Sequence, residues 1–406
     1  MKKILSLAIA FSVFAFAAHA EMFTLHVTQT STSIDETRSF KSVLDLFKKY
    51  EDGALDSIIS GYDKTAAANG WVDFRGIKMD LNFDGSGNLT FNVPDAGINS
   101  MIFNSDDGSQ ENSFRKLKDY LKKNKDDLLK KVLKASVSKT PFDTVAGSPT
   151  SMMASMTDAS FQRAGGGVLG NFVSYLSPNA SRHHFKLFNN ATNEKEDKTA
   201  DIISLPLGKT FKFGESGWAL LFDMPLTYAD LDGSKSYAGQ LGLGLKVPLV
   251  QKDHFKWSVI PAGRVGAIGS KDMISGGALY SGTLTSDIQV PMGPVTVSMT
   301  NMGGYIRDFS IKVDDYEVEY DLENWVYKNG VQLRWDFAEK WAINTAYSYT
   351  FYTGSDLFID KYHDVGASLI RKFEEGSFFS GVGLTGNYTF DCDDYYAYRL
   401  GFDILF

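Results

Sequence analysis

The chain lacks most of what a soluble enzyme or a nucleic-acid binder needs. A single cysteine among 406 residues excludes an internal disulfide and a thiolate metal site. Charged residues make up only 22% of the chain, and the net charge of −8 leaves no basic footprint for nucleic acid. After residue 20 no run of 18 or more apolar residues occurs, so no second helical membrane span is available. Glycine (37) and aromatic residues (14%) are abundant instead. That composition, in a chain of this length, suits one large β architecture with an appendage.

The first twenty residues read as a signal peptide. Lys2 and Lys3 form a basic n-region, residues 4–17 are almost unbroken apolar, and Ala18-His19-Ala20 offers the small-x-small cleavage pattern. Cleavage is expected between Ala20 and Glu21, and no cysteine follows to carry a lipid anchor. Losing Lys2 and Lys3 makes the exported chain two units more negative.

Export without a second apolar helix directs attention to strands. In the C-terminal half apolar residues recur at every second position, the period of a strand with two unlike faces. From Tyr237 one row is Tyr237, Gly239, Leu241, Leu243, Leu245, Val247 and Leu249; the other holds Gln240, Gly242, Gly244 and Lys246. Trp218, Leu220, Phe222, Met224, Leu226 and Tyr228 form another apolar row, with Asp223 and Thr227 opposite. Similar rows run near 278–290, 295–299, 331–337, 341–351 and 382–390. Short turns are expected at 214–217, 251–254, 291–293, 338–340 and 374–376, and longer connections at 229–236, 269–277, 305–325, 354–361 and 391–394. Such alternation is the habit of membrane barrels. Trp218, Trp257, Trp335 and Trp341 lie near the short turns, while Tyr228, Tyr237, Tyr280, Tyr305, Tyr352 and Tyr362 lie toward the longer loops. Two aromatic girdles are the membrane reading of that placement.

The last strand carries the most specific signal. Tyr396, Tyr398, Leu400, Phe402, Ile404 and Phe406 form one apolar row ending on the terminal residue. The spacing of Arg399, Gly401, Ile404 and Phe406 resembles the terminal β-signal of Gram-negative outer-membrane β-barrels. The resemblance covers eight residues and implies recognition by the barrel-assembly machinery, an outer-membrane location in contact with its lipid, and a final strand that ends in the periplasm. That orientation requires an ascending strand before the run that starts at Asp201, and His183 to Phe188 is the candidate. The expected fold is mainly β: a transmembrane, antiparallel, up-and-down β-barrel of about twelve strands over 181–406. Twelve lies between the ~8 strands filled by side chains and the ~16 that leave a wide channel.

Residues 21–134 read as a small α/β (α+β) region. Phe40, Val43, Leu44, Phe47 and Tyr50 have helical spacing, as do Phe114, Leu117, Tyr120, Leu121, Leu128, Leu129, Val132 and Leu133. Strands at 72–83 and 89–93 are expected to form a hairpin across Asp84-Gly85-Ser86-Gly87. Asp80, Asn82 and Asp84 imitate the start of a calcium loop, but Phe91 stands where the closing Glu belongs. Lys116 to Lys134 is heavily basic, as a solvated helix face would be. Residues 135–180, rich in Ser, Met, Ala and Gly, read as linker or plug.

No catalytic set, metal site or cofactor emerges. His183-His184 and His363-Asp364 have no partner set, and Asp391, Asp393 and Asp394 disfavour a thiolate at Cys392. On the non-lipid rows, Asp223, Lys246, Arg264, Asp287, Arg334, Asp336 and Asp364 are pore-lining candidates. They either tune ion selectivity or pair and fill a narrow lumen. Glu317, Glu319, Asp321 and Glu323 alternate with Tyr316, Val318, Tyr320 and Leu322, giving an acidic row that either faces bulk water or lines a pore mouth. The first functional expectation is a porin-like, cation-preferring channel for small solutes or ions. The second is an autotransporter-like or adhesin-like display barrel that carries residues 21–134.

Overall fold

A computed structural model describes residues 23–40, 58–74, 76–167, 174–189, 194–231, 233–270, 275–313, 316–374 and 377–406. The expected signal segment, the cleavage expected between Ala20 and Glu21, and the helical spacing from Val43 to Tyr50 lie outside these residues.

Twelve antiparallel strands close into a barrel. Nine are continuous: Ser234–Lys252, Phe255–Ser270, Ser275–Met292, Val295–Phe309, Glu323–Ala338, Trp341–Gly354, Lys361–Lys372, Gly381–Phe390 and Tyr395–Leu405. The first three are each broken once, into Tyr175–Leu176 and Asn179–Asn189, Glu194–Leu205 and Leu207–Lys212, and Ala219–Asp223 and Leu226–Leu231. Pro178, Pro206 and Pro225 sit in the three breaks, because proline cannot donate to the ladder. The freed carbonyls are reused: Ser177 N–H donates to Pro206 O (3.0 Å) and Gln240 N–H to Pro225 O (3.1 Å). Closure runs from Tyr395↔Phe185 to Gly401↔Asn179, so the ascending strand expected at His183 to Phe188 is present and longer.

Side-chain alternation sorts the wall. Tyr237, Leu241, Leu243 and Leu249 are exposed outward, while Gln240, Gly242 and Gly244 are buried inward. Tyr327, Val331, Leu333 and Trp335 repeat the pattern, as do Tyr396, Tyr398, Leu400 and Phe406. An apolar exterior around a side-chain-filled interior is the organisation of an outer-membrane β-barrel. Trp218, Trp257, Trp335 and Trp341 are exposed near one rim. Tyr352 (4% exposed) and Tyr362 (1%) are not girdle residues; they point into an apolar part of the lumen. A second expectation also fails. Residues 229–231 and 234–236 are strand rather than loop, with Ala229↔Ser236 and Leu231↔Ser234 paired. The longest described excursion at that rim is the hairpin of Ile311–Val313 with Tyr316–Val318.

The N-terminal region is a six-stranded antiparallel sheet ordered Ile34–Phe40, Phe23–Gln29, Ala68–Phe74, Ile77–Phe83, Leu89–Val93, Ile98–Phe103. The run expected as one strand at 72–83 is thus two. One face carries Leu25, Val27, Ile77, Phe83, Leu89 and Phe91 and is buried. The single basic helix expected there is also two, α1 (Gln110–Lys123) and α2 (Lys125–Lys139), separated at Asn124. Ser109 caps α1 by accepting from Asn112 N–H (3.2 Å). Leu117, Leu128 and Leu133 bury the helices in the same core. Phe83 and Leu89 pair across the expected turn, and the Asp84 carboxylate is spent on it, accepting from Ser86 N–H (2.7 Å), Asn88 N–H (3.0 Å) and the Asn88 amide (2.8 Å). A turn, not a calcium loop, uses those oxygens.

Candidate functional site: the occupied lumen

The Ser- and Met-rich segment after α2 enters the barrel. Asp143 organises its descent, accepting from Ser136 Oγ (2.7 Å), Val145 N–H (2.9 Å) and Ala146 N–H (3.3 Å). The connection 355–360 clamps it: Phe358 N–H donates to Val137 O (3.0 Å) and Ile359 N–H to Gly147 O (2.8 Å). Gly147 has φ +105°, and a Cβ there would stand 2.5 Å from Val137 O. Only glycine fits that crossing.

Below it α3 (Met152–Arg163) runs down the lumen, capped by Ser151 accepting from Ala154 N–H (3.4 Å). Two wall glycines make room. A Cβ on Gly266 would press on the Met152 and Met156 sulfurs at 3.2 and 3.3 Å, and one on Gly330 would lie 2.8 Å from the Phe161 ring. Past the helix the chain begins the first strand at Tyr175, which pairs with Leu405 at the opposite rim. The chain therefore crosses the barrel from the rim that holds the 310–322 hairpin to the rim where Phe406 ends.

The lumen around α3 has two zones. Toward the α2 end, Phe142, Val145, Met152, Met153 and Met156 pack on Phe185, Ile202, Leu231, Ile306, Val326, Tyr352 and Tyr362. This cluster is continuous with the core of the N-terminal sheet, so domain and barrel share one apolar interior. Farther down the contacts are polar. Gln240 donates to Ser155 Oγ (2.9 Å), Tyr352 OH to Thr157 Oγ1 (3.0 Å), and Arg264 Nε to Ser160 Oγ (3.0 Å). At the centre Lys328, 3% exposed, donates to Asp158 (2.7 Å) and Asp364 (3.0 Å). Arg399 lies 3.7 Å from Asp158. Two carboxylates and two cations thereby balance within the membrane-spanning layer, where an unpaired charge is costly. Between α3 and the closure strands remains a cavity of about 100 Å³, lined in part by Asp158, His183, Asn387, Arg399 and Asp403. It has room for several waters.

The pore-lining candidates fall into separate groups. Arg264 pairs with Asp223 at 2.6 Å while holding α3, and Asp364 belongs to the central cluster. Asp287 accepts from Gln289 (2.6 Å) and Thr300 (3.0 Å), and Lys246 is half-buried on its lumen-facing row. Arg334, Asp336 and Lys372 form a separate rim group at 3.0 and 3.1 Å. Asp158, Lys328, Gly266 and Gly330 were not singled out by sequence reasoning, and Gln240 was placed on its inward row without a role. The available signal was the vacancy at Gly266 and Gly330 on lumen-facing rows.

The acidic row meets the basic helix. Lys130 reaches Glu319 (3.0 Å) and Asp321 (3.9 Å), and Lys134 reaches Asp321 (3.1 Å). Glu323 pairs with Arg307 (3.1 Å), and Glu317 stands opposite Lys312 in the hairpin register. Val318, Tyr320 and Leu322 are buried beneath, fixed by Asp308, which accepts from Tyr320, Asp321 and Leu322 N–H (2.6, 3.1 and 2.7 Å). Lys134 and Lys130 hold the Asp321 carboxyl below its ordinary value, and Glu319 raises the Lys130 ammonium.

The terminal strand pairs on both sides, with Gly401 opposite Thr385 and Asn179. Arg399 points inward, Ile404 is half-buried, and Phe406 packs on Phe379 (5.5 Å). His183 bonds to Ser181 (2.8 Å) and Tyr395 (2.9 Å), and His363 to Tyr347 (2.9 Å). Among the described residues no three His, Cys, Asp or Glu converge on one point.

No protein-family model and no curated protein matches the chain. Solved structures of similar fold include the translocator domain of the autotransporter NalP from Neisseria meningitidis (12% identity, covering 63% of this chain and 96% of that one, TM-score 0.43). The transport unit of the autotransporter AIDA-I from Escherichia coli is similar over 58% of this chain and 90% of its own (9% identity, TM-score 0.39). The KdgM porin in complex with disordered oligogalacturonate is similar over 57% and 99% (10% identity, TM-score 0.34).

Proposed function

We propose that the chain is an outer-membrane display barrel that carries its own N-terminal α/β domain on the outer surface and keeps its lumen closed with α3. The path of the chain carries this reading. The N-terminal domain sits against the rim that bears the 310–322 hairpin, and the first strand starts at the rim of Phe406. If the terminal strand ends in the periplasm, as its signal sequence implies, the connecting helix crosses from outside to inside. A porin needs an aqueous lumen; here the apolar zone and the central ion cluster occupy it. The cation preference expected of Glu317, Glu319, Asp321 and Glu323 presumed a free acidic row, whereas in this reading Glu319 and Asp321 dock the domain to the barrel mouth. In this reading the chain catalyses no reaction, and its biogenesis needs the assembly machinery that the terminal signal addresses. An epitope inserted in the exposed turn Thr30–Thr32 tests the reading. Antibody should stain intact cells; staining only after the outer membrane is permeabilised would return the domain to the periplasm and favour a channel with a periplasmic appendage.

A further inference from the structure

On the Phe406 side of the three proline breaks, little closes the wall. The terminal strand pairs with Asn179–Asn189 at seven positions, from Tyr395↔Phe185 to Gly401↔Asn179. Past Pro178 it meets only the two-residue strand Tyr175–Leu176, at Leu405↔Tyr175 and Ile404↔Leu176. On its other side that short strand pairs with Leu207–Lys212 at two positions, Leu207↔Leu176 and Gly208↔Tyr175. Ser174 lengthens the strap, its carbonyl accepting from Phe406 N–H (2.9 Å) and its hydroxyl from Thr210 N–H (3.0 Å). So short a ladder gives its own hydrogen bonds little cooperative protection against local opening.

The strap is tied to the plug helix. Along its length α3 packs on the strands Phe255–Ser270, Ser275–Met292 and Val295–Phe309, while its stripe of Ser155, Asp158, Ala159 and Gln162 faces the polar cavity beside the closure strands. Arg163, the last residue of α3, reaches the seam. Its guanidinium donates to Thr210 Oγ1 and stands 5.8 Å from the centroid of the Tyr175 ring, within range of a cation–π contact. The ring is itself fixed in place. A Cβ on Gly208 would lie 2.6 Å from it, and Ala342, Ile370 and Leu405 cluster with it. Tyr175 thus closes the wall with its backbone and holds the end of α3 with its ring.

We propose that Tyr175 is a latch that couples the seating of α3 to the closure of the wall between Leu207–Lys212 and the terminal strand. With α3 seated, Arg163 holds the ring and the strap stays in the sheet. With α3 displaced, the strap is left to its two pairs on either side, and the seam parts onto the polar cavity. A coupling of this kind is reciprocal, so loosening the strap also loosens the helix. It rests on the occupied lumen of the proposed function and not on the side of the membrane where the N-terminal domain lies.

Both ends of the coupling can be measured in the full-length chain, with heat-modifiable migration verifying that each variant folds. Maleimide labelling of Ala154→Cys in a Cys392→Ser background reads the helix, and amide exchange in Leu207–Lys212 reads the seam. Tyr175→Ala should speed the labelling about tenfold. Lys328→Met, which acts on α3 at Asp158, should speed exchange in Leu207–Lys212 about tenfold. In the Tyr175→Ala background Lys328→Met should no longer change the seam, because the link is already cut. Arg163→Met cuts the same link while keeping the strap intact, and it replaces Tyr175→Ala if that variant fails to fold. Slow native labelling that Tyr175→Ala leaves unchanged would overturn the latch and leave the closed lumen standing. So would a Lys328→Met chain that labels faster while its seam exchanges at the native rate. Fast labelling of the native chain would remove the closed-lumen reading itself, and the latch with it.

Discussion

Lys328→Met probes the seat of α3 at its centre. The native ammonium is almost fully buried, within hydrogen-bonding distance of Asp158 and Asp364, and lies 5.4 and 5.5 Å from the Phe161 and Tyr362 rings. Methionine keeps the length of the chain but removes the charge. Asp158 and Asp364 then share only Arg399, which stands 3.7 Å from Asp158. Deleting one partner of a buried ion pair costs roughly 3–5 kcal/mol, or about two to three and a half decades in an equilibrium constant. The barrel wall keeps its ladder, and Asp364 keeps the bond from Thr389 (2.6 Å). The cost therefore falls on the fit of the helix in the lumen. In a Cys392→Ser background, a cysteine replacing buried Ala154 reports exposure to maleimide, and planar-bilayer recording reports conductance. The native chain should label slowly and conduct little, while Lys328→Met should label faster and show open events. Adding Asp158→Asn should recover part of the closure by removing one stranded carboxylate. Unchanged labelling and conductance in a correctly folded Lys328→Met barrel would refute the claim that this cluster holds the helix.

Other perturbations separate the parts of the account. Leu243→Arg places a cation on the lipid face and should destabilise the barrel by roughly 2–4 kcal/mol near the midplane, read as a lower urea midpoint in lipid vesicles. Deleting Phe406 should lower the yield of heat-modifiable barrel in the outer membrane while export to the periplasm continues; normal yields would separate the terminal row from assembly. The docking of α2 on the acidic row should follow pH at both ends. Asp321 is depressed in the folded state, so its contribution is complete above the unfolded carboxyl value of about 3.9 and is lost as pH falls through the lower folded value. Lys130 is raised, so its contribution is complete below about 10.4 and is lost as pH rises through the higher folded value. Amide exchange in α2 should thus be flat from about pH 5 to 10 after correction for intrinsic rates. It should accelerate in acid and with salt, and only modestly, because exposed pairs contribute about 0.2–1 kcal/mol each.

The barrel wall was legible because each strand buries one row and exposes the other, and hydrocarbon demands that the exposed row be apolar. Tyr237 to Leu249 and Tyr396 to Phe406 show this directly. Tyr352 and Tyr362 were misassigned to a girdle by their nearness to the longer loops. Their part of the lumen is apolar because α3 fills it, so parity no longer separates the two faces. The strand ends at Leu231 and Ser234 were hidden because the sequence Asp230, Asp232, Gly233 and Lys235 has the polarity of a loop. The segment that holds α3 was read only as linker or plug, and its helix was not foreseen. Its small and weakly polar residues have no amphipathic pattern, because a helix enclosed by a barrel has no solvent face. Lys130 and Glu319 were each noticed as charged rows, but nothing local links residues 189 positions apart.

The path of the chain through the barrel is the central claim, and site-specific labelling from outside measures it directly. Two single-cysteine chains in the Cys392→Ser background suffice: Ser31→Cys in the exposed turn of the N-terminal sheet, and Glu215→Cys in the exposed turn between Leu207–Lys212 and Ala219–Asp223. Both are treated on intact cells with a membrane-impermeant maleimide. The account predicts that Ser31→Cys labels on intact cells and Glu215→Cys labels only after the outer membrane is opened. Labelling of both from the same side, or of Glu215→Cys alone from outside, would contradict it.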